Sequence, residues 1–264
     1  MMIEVTYVLV KDCGRSQPVD MLQRSIGIGL IMFGLGIAGA FVSTYLNGKV
    51  AAIHAVVAMH IDTPIRIDGN LDDAAWSAGV WTSDFIYSDG RAPAPRSCRA
   101  KILWSDVALF VAFQVEDNDL QASHTLRDEP LYTQDVVELF IDPEGDAKGY
   151  MEFEVSPRGT LFDARFQAYR SDLERAKEFN ASSFDAAVQV SGTLDDALED
   201  SGYTVEMRID FSDIGSAPFS GEMWRINLFR IDKHPHKSDY TAWTAPLVGD
   251  FHALDRFGVL IFQK

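Results

Sequence analysis

Three glutamates stand inside two strongly apolar runs, and their spacing is what could do chemistry in this chain. Glu138 lies in Asp135-Val136-Val137-Glu138-Leu139-Phe140-Ile141-Asp142-Pro143, and Glu152 and Glu154 lie in Tyr150 to Ser156. A period-2 pattern puts Val137, Leu139 and Ile141 on one side of the first run and Glu138 on the other. In the second run Met151, Phe153 and Val155 share one face, while Glu152, Glu154 and Ser156 share its opposite. Pro143-Glu144-Gly145-Asp146 reads as a turn, so the two runs predict a hairpin that gathers carboxylates on one sheet face. Like charges opposed across strands are destabilising. Arginines, a cation or the hydroxyls of a ligand must offset them. Asp163 and Arg165, on the polar side of Thr160 to Phe166, are expected on this face, as are Arg225 and Asn227. Carboxylates, amides and guanidinium groups in fixed positions form a hydrogen-bonding set suited to sugar hydroxyls. The ordinary alternative is a set of cross-strand Glu–Arg pairs on a solvated face.

Aromatic residues supply the second signal. Sugar rings present an apolar C–H face that stacks on flat side chains through the hydrophobic effect and dispersion. Trp104 and Trp224 fall within regular strand patterns and read as structural. Trp243 follows the loop Lys233 to Asp239 and precedes Ala245-Pro246, and Tyr132 ends another long loop. Both are placed to offer a ring to a ligand. Weaker signals are His234-Pro235-His236, a nominal metal pair, and Glu116-Asp117-Asn118-Asp119, whose hard oxygens suit calcium without EF-hand spacing. Phosphate-loop, serine-hydrolase, zinc-protease and haem-attachment motifs are all missing from the sequence.

The elements that must position these residues are strands. Alternating runs recur at Cys98–Trp104, Val107–Asp117, Asp135–Ile141, Tyr150–Ser156, Thr160–Phe166, Phe184–Val190, Tyr203–Asp210, Met223–Ile231, Tyr240–Thr244 and Arg256–Phe262. This pattern predicts an all-β fold, an antiparallel β-sandwich in one domain over residues 56–264. Only Gln167 to Asn180 reads as helical, with a further turn at Phe211 to Gly215. Lys+Arg total 23 against Asp+Glu 39, a net charge of -16, which disfavours nucleic acid and anionic lipid as partners. The two cysteines, Cys13 and Cys98, cannot build a disulfide framework. Residues 1–55 read as a leader. Ser25 to Gly48 carries no charge, and the segment is long enough to span a bilayer. It reads either as an export signal with an over-called start at residues 1–20 or as a retained N-terminal anchor helix. Both readings export the rest of the chain to the periplasm, the cell surface or the medium. Membrane contact is expected only through residues 25–48, if uncleaved.

Four segments then fall in a familiar order. They are Ile67-Asp68-Gly69-Asn70-Leu71-Asp72-Asp73-Ala74-Ala75-Trp76, Ile102 to Val111, Gln134 to Asp142, and the closing Arg256-Phe257-Gly258. Together they resemble the family 9 carbohydrate-binding modules and the wider group of family-9-like domains, over about Ile61 to Phe262. The resemblance implies a β-sandwich that binds a neutral glycan or the end of a sugar chain without catalysis. It places one stacking position on Trp243 and the other on Tyr132, and matches Glu138 to a sugar-bonding glutamate. A sugar-bonding arginine falls on Glu154 and a neighbouring asparagine on Ser156. It also implies structural calcium, on unspecified residues. The alternatives are an exported haem module, with Met151, Met207 or Met223 and His252 as nominal ligands, and a glycan-active enzyme.

Overall fold

The computed structural model describes residues 42–46, 49–234 and 237–264. Most of the apolar leader therefore lies outside the described residues. Its described end, β1 (Val42–Leu46), pairs with β2 (Lys49–Ile53) in a separate two-stranded ribbon. No helix among the described residues is long and apolar enough to cross a membrane.

The sheet takes up the chain at β3 (Ala55–His60), followed by β4 (Ile86–Tyr87), β5 (Cys98–Trp104), β6 (Ala108–Glu116), β7 (Val136–Asp142), β8 (Tyr150–Val155) and β9 (Leu161–Phe166). A single helical turn, α1 (Leu173–Ala176), leads to β10 (Asp185–Ser191) and β11 (Gly202–Asp210). A second turn, α2 (Phe211–Ile214), precedes β12 (Met223–His234), β13 (Lys237–Ala242) and β14 (Gly258–Gln263). The strand order is β10-β11-β6-β5-β3-β14-β12-β7-β8-β9, with β13 on β12 and β4 on β13. Pairing is antiparallel except where β3 runs parallel to β14 and β5.

The two halves of this order bury a common core. Phe113, Val205 and Met207 from one half meet Leu139, Phe153 and Leu228 from the other, which is the packing of a sandwich. The strands expected from alternation are present, so the all-β reading holds. Alternation missed β3 and β4, the first beside the leader and the second only two residues long. The helix expected over 167–180 shrinks to α1. Its opening, Gln167 to Arg170, is bent by side-chain bonds, such as Gln167 N–H to Ser171 Oγ at 3.1 Å, that compete with helical ones.

Polarity misled at one point. Strand β7 is buried along its whole length, because a second apolar cluster covers the face carrying Glu138. That cluster holds Val136, Phe140, Tyr150, Phe162, Phe166 and Phe229. The register sets Phe162 opposite Glu154 and Ala164 opposite Glu152. Asp163 and Arg165 consequently point to the other side and do not join the glutamates. Asp163 instead accepts from Ala181 N–H at 2.6 Å and pairs with Arg127. Arg165 donates to the Asp213 carbonyl.

One glycine in the Ile67–Trp76 segment has a steric cause. Gly69 has φ +85°, and a Cβ there would stand 2.6 Å from the Val188 carbonyl carbon. The buried Glu206 carboxylate on β11 pins this loop, accepting from Asp68 N–H (3.0 Å), Gly69 N–H (2.9 Å) and Trp76 Nε1–H (2.7 Å).

Candidate carbohydrate site

Strands β7 and β8 place Glu138 directly opposite Glu154, with Glu152 opposite Phe140 one step along. The hairpin expectation is therefore met, and the three carboxylates collect on one face. One oxygen of each lies within 4.8 Å of the others. Glu138 and Glu154 are each 1% exposed. Among the described residues no arginine, lysine or backbone N–H donates to any of the three, and Glu154 Oε2 is buried without a partner. Burial raises Glu138 and Glu154 well above the usual carboxylate range, and the neighbouring carboxylates push the same way. Burial lifts Glu152 to about 7, tempered by Glu154 and Arg170.

The trio forms one side of a cavity of about 740 Å³. Tyr132, Tyr240, Phe251, Phe162 and Phe166 supply its aromatic surface. Tyr132 is 44% and Tyr240 42% exposed, so both offer ring faces to solvent. Tyr132 is held at the 3₁₀ turn Leu131–Thr133, anchored by buried Leu131. Tyr240 projects from β13, and Phe251 stacks on buried Phe229 with centroids 4.1 Å apart.

Arg170 and His252 add polar groups to the same lining. Arg170 binds Asp250 at 2.7 Å. Burial opposes ionisation of Asp250, but hydrogen bonds from Arg170 and Tyr169 hold it down to about 2. Burial and Arg170 lower His252 to about 4, so its ring is neutral. Its Nδ1 lies 2.8 Å from the Tyr150 hydroxyl, which also accepts the Arg170 N–H. A neutral ring then takes the Tyr150 proton at Nδ1.

Of the expected site residues, Tyr132, Glu138 and Glu154 line this cavity together. Trp243 does not. It is 2% exposed and belongs to the main core, its backbone N–H bonded to the Leu228 carbonyl at 2.9 Å. The stacking position expected at Trp243 is thus corrected. The Thr241–Thr244 segment turns inward beyond β13, and the exposed aromatic on that strand is Tyr240, three residues earlier. Alternation could have flagged Tyr240 through its place in Tyr240–Thr244, but the tryptophan was the stronger lure. Phe251 carried no pattern signal because it lies in a loop. Asn227 is engaged elsewhere, its Nδ2–H donating to the Thr244 carbonyl at 2.8 Å. Arg225 lies opposite Asp142 rather than the glutamates.

The acidic run 116–119 is engaged by neighbouring side chains, and its Asp117 lies with Asp135 and Asp232 in a buried group whose carboxylate oxygens are within 4.8 Å of one another. Arg230, buried, donates to Asp117 and Asp232, each at 2.8 Å. Asn118 is bonded by Arg96, and Asp119 takes Gln121 Nε2–H at 2.6 Å. His234 lies 2.9 Å from Asp232, beside the Arg96 guanidinium and within 4.8 Å of an Asp239 oxygen; its expected companion His236 is outside the described residues. The haem alternative also lacks its geometry. His252 faces the cavity, whereas Met151 and Met207 lie in the core beneath the opposite sheet face and Met223 is exposed.

Comparison with known proteins agrees with this architecture. A family model described as carbohydrate family 9 binding domain-like matches residues 67–264. The chain is 26% identical over 223 residues to exoglucanase XynX of Acetivibrio thermocellus, a match covering 83% of this chain but only 18% of that enzyme. A family 9 carbohydrate-binding module from Caldicellulosiruptor kristjanssonii, solved with cellotriose, aligns with a TM-score of 0.55 at 20% identity, covering 79% of this chain and 93% of that one. A candidate carbohydrate-binding protein from Bacteroides uniformis aligns at 0.66 and 16% identity, covering 79% and 99%. At these identities the structural matches speak to the fold, while the family model spans most of the sequence. The chain belongs to the carbohydrate family 9 binding domain-like family.

Proposed function

We propose that this protein binds glycans without cleaving them, in the cavity above Glu138, Glu152 and Glu154. The observation that carries the proposal is the combination of exposed Tyr132 and Tyr240 rings with buried carboxylates inside one 740 Å³ cleft. Flat rings match the apolar faces of sugars, and fixed acceptors match their hydroxyls. Family membership supports the same reading, as does the cellotriose held by the Caldicellulosiruptor module. A non-catalytic role is favoured by the carboxylate layout. A glycosidase needs two carboxyl groups flanking the scissile bond. Here all three stand on adjacent strands of one wall.

The protein acts outside the cytoplasm in this proposal. The charge-free run 25–48 supports export, by cleaved signal or retained anchor. Structural calcium, implied by the resemblance, would need ligands beyond residues 116–119. A melt in millimolar calcium against chelator tests it, because an ion bound only by the folded state raises Tm. A glycan array with the purified protein tests the central proposal. A hit lost on Tyr132→Ala and Tyr240→Ala supports this site, and hydrolysis of any hit would replace binding with catalysis.

A further inference from the structure

We infer that the cleft selects sugars bearing a free, protonated amine, with the ammonium seated among Glu138, Glu152 and Glu154. The inference rests on the glycan-binding proposal and names the class of sugar. Its first support is charge. The cavity lining carries four acids, Glu138, Glu152, Glu154 and Asp172, against one base, Arg170. That arginine is already bound to Asp250 at 2.7 Å. A neutral sugar brings hydroxyl donors but no charge, and so offers nothing that favours the ionised glutamates over their protonated forms.

The second support is the unpartnered Glu154 Oε2, buried in the cavity lining while the same carboxyl lies against Glu152. A buried acceptor without a donor is costly, and a charged donor repairs it best. The third is geometry. A primary ammonium has three N–H donors. Acceptors held about 2.8 Å from its nitrogen in tetrahedral directions stand about 4.6 Å apart. The trio presents one oxygen from each glutamate within 4.8 Å of the other two. Phenylalanine and tyrosine rings line the same cavity, and side-chain oxygens beyond the trio come from Ser88, Ser171, Asp172 and the two tyrosine hydroxyls. The aromatic rings suit the ring of an amino sugar, whereas a hydrated divalent ion seeks six or more oxygens.

Burial and mutual repulsion bias these carboxyls towards their protonated forms, so seating an ammonium among them is expected to release protons. The experiment is isothermal titration calorimetry of the full chain with three trimers: cellotriose, N-acetylglucosamine trimer and glucosamine trimer. Each is run at one pH in two buffers of different ionisation enthalpy. The expected result is roughly tenfold or greater preference for the glucosamine trimer, the scale of one charge-assisted hydrogen bond. It should come with buffer-dependent proton release, and the preference should collapse in Glu154→Gln. The wild-type panel stands alone if that variant does not fold. Equal or tighter binding of cellotriose overturns the inference and leaves glycan binding intact. No binding of any trimer overturns both. Equal binding of methylammonium shows a cation site that does not read sugar, and competition by calcium or magnesium at micromolar concentration shows a metal site. Either would overturn the inference.

Discussion

The indole of Trp243 lies over Gly258, so closely that a Cβ on that glycine would come within 2.3 Å of the ring carbon Cζ3. The closing Arg256-Phe257-Gly258 thus has a packing cause, since the glycine makes room for a buried tryptophan. Trp243→Ala is expected to cost about 3–5 kcal/mol, the range for emptying a large aromatic site in a core. Gly258→Ala should also destabilise, by forcing the ring from its place. Urea titration of both variants checks this; a Trp243→Ala protein as stable as wild type would contradict the core placement.

Tyr132 and Tyr240 should behave in the opposite way. Both residues keep more than two fifths of their surface exposed and stand outside the buried core, so Tyr132→Ala and Tyr240→Ala should change stability by no more than about 1 kcal/mol. Affinity for a glycan found on the array should fall by about 1–3 kcal/mol for each. Titrations paired with melts separate the two effects.

The glutamate trio makes stability depend on pH, and the sign follows from proton counts. Burial and mutual repulsion raise the folded-state values of Glu138 and Glu154 above those of the unfolded chain, so the folded state binds more protons as pH rises past the ordinary glutamate range. Stability is then lost with rising pH. The stability of Glu154→Gln relative to wild type should rise between acid pH and pH 8 by on the order of 1–4 kcal/mol, since each tenfold shift in proton affinity is worth about 1.4 kcal/mol. The gap should close as pH falls below the ordinary glutamate range, towards about pH 3, where both states of the wild-type carboxyl are protonated. His252 works in the other direction. Its folded value, about 4, is below the unfolded one, so its contribution is full above about pH 6.5 and fades as pH falls towards 4. Comparing Glu154→Gln with wild type at each pH cancels the histidine. A gap that stayed constant with pH would refute the assignment.

Arg230 is the single basic residue that touches both Asp117 and Asp232 among the described residues, and all three are buried. Asp135 completes that acidic group and is raised to about 8, by burial and then by Asp117. Arg230→Met should cost about 3–5 kcal/mol by stranding buried carboxylates. Added salt should not rescue it, because screening acts weakly on buried charges. Equilibrium unfolding at low and high salt checks both statements.

The all-β fold, most strand positions and the gathering of Glu138, Glu152 and Glu154 on one face were legible in sequence. Each follows from period-2 alternation, a local property that a hairpin converts directly into neighbours. The 67–76 loop and the closing Arg-Phe-Gly carried the family resemblance, and their causes, Glu206 pinning the loop and Trp243 lying on Gly258, are contacts between distant segments. Which aromatics line the cleft was decided by tertiary structure alone. Trp243 and Tyr240 are three residues apart in one segment, yet one fills the core and the other faces the cavity, because the chain leaves β13 between them. Asp163 and Arg165 were misplaced for a related reason. Alternation marks a solvated face only where one side of a strand is wet, and β7 and β8 are covered on both. Register, fixed by pairing with β8, put Phe162 and Ala164 beside the glutamates and left their charges without a basic partner.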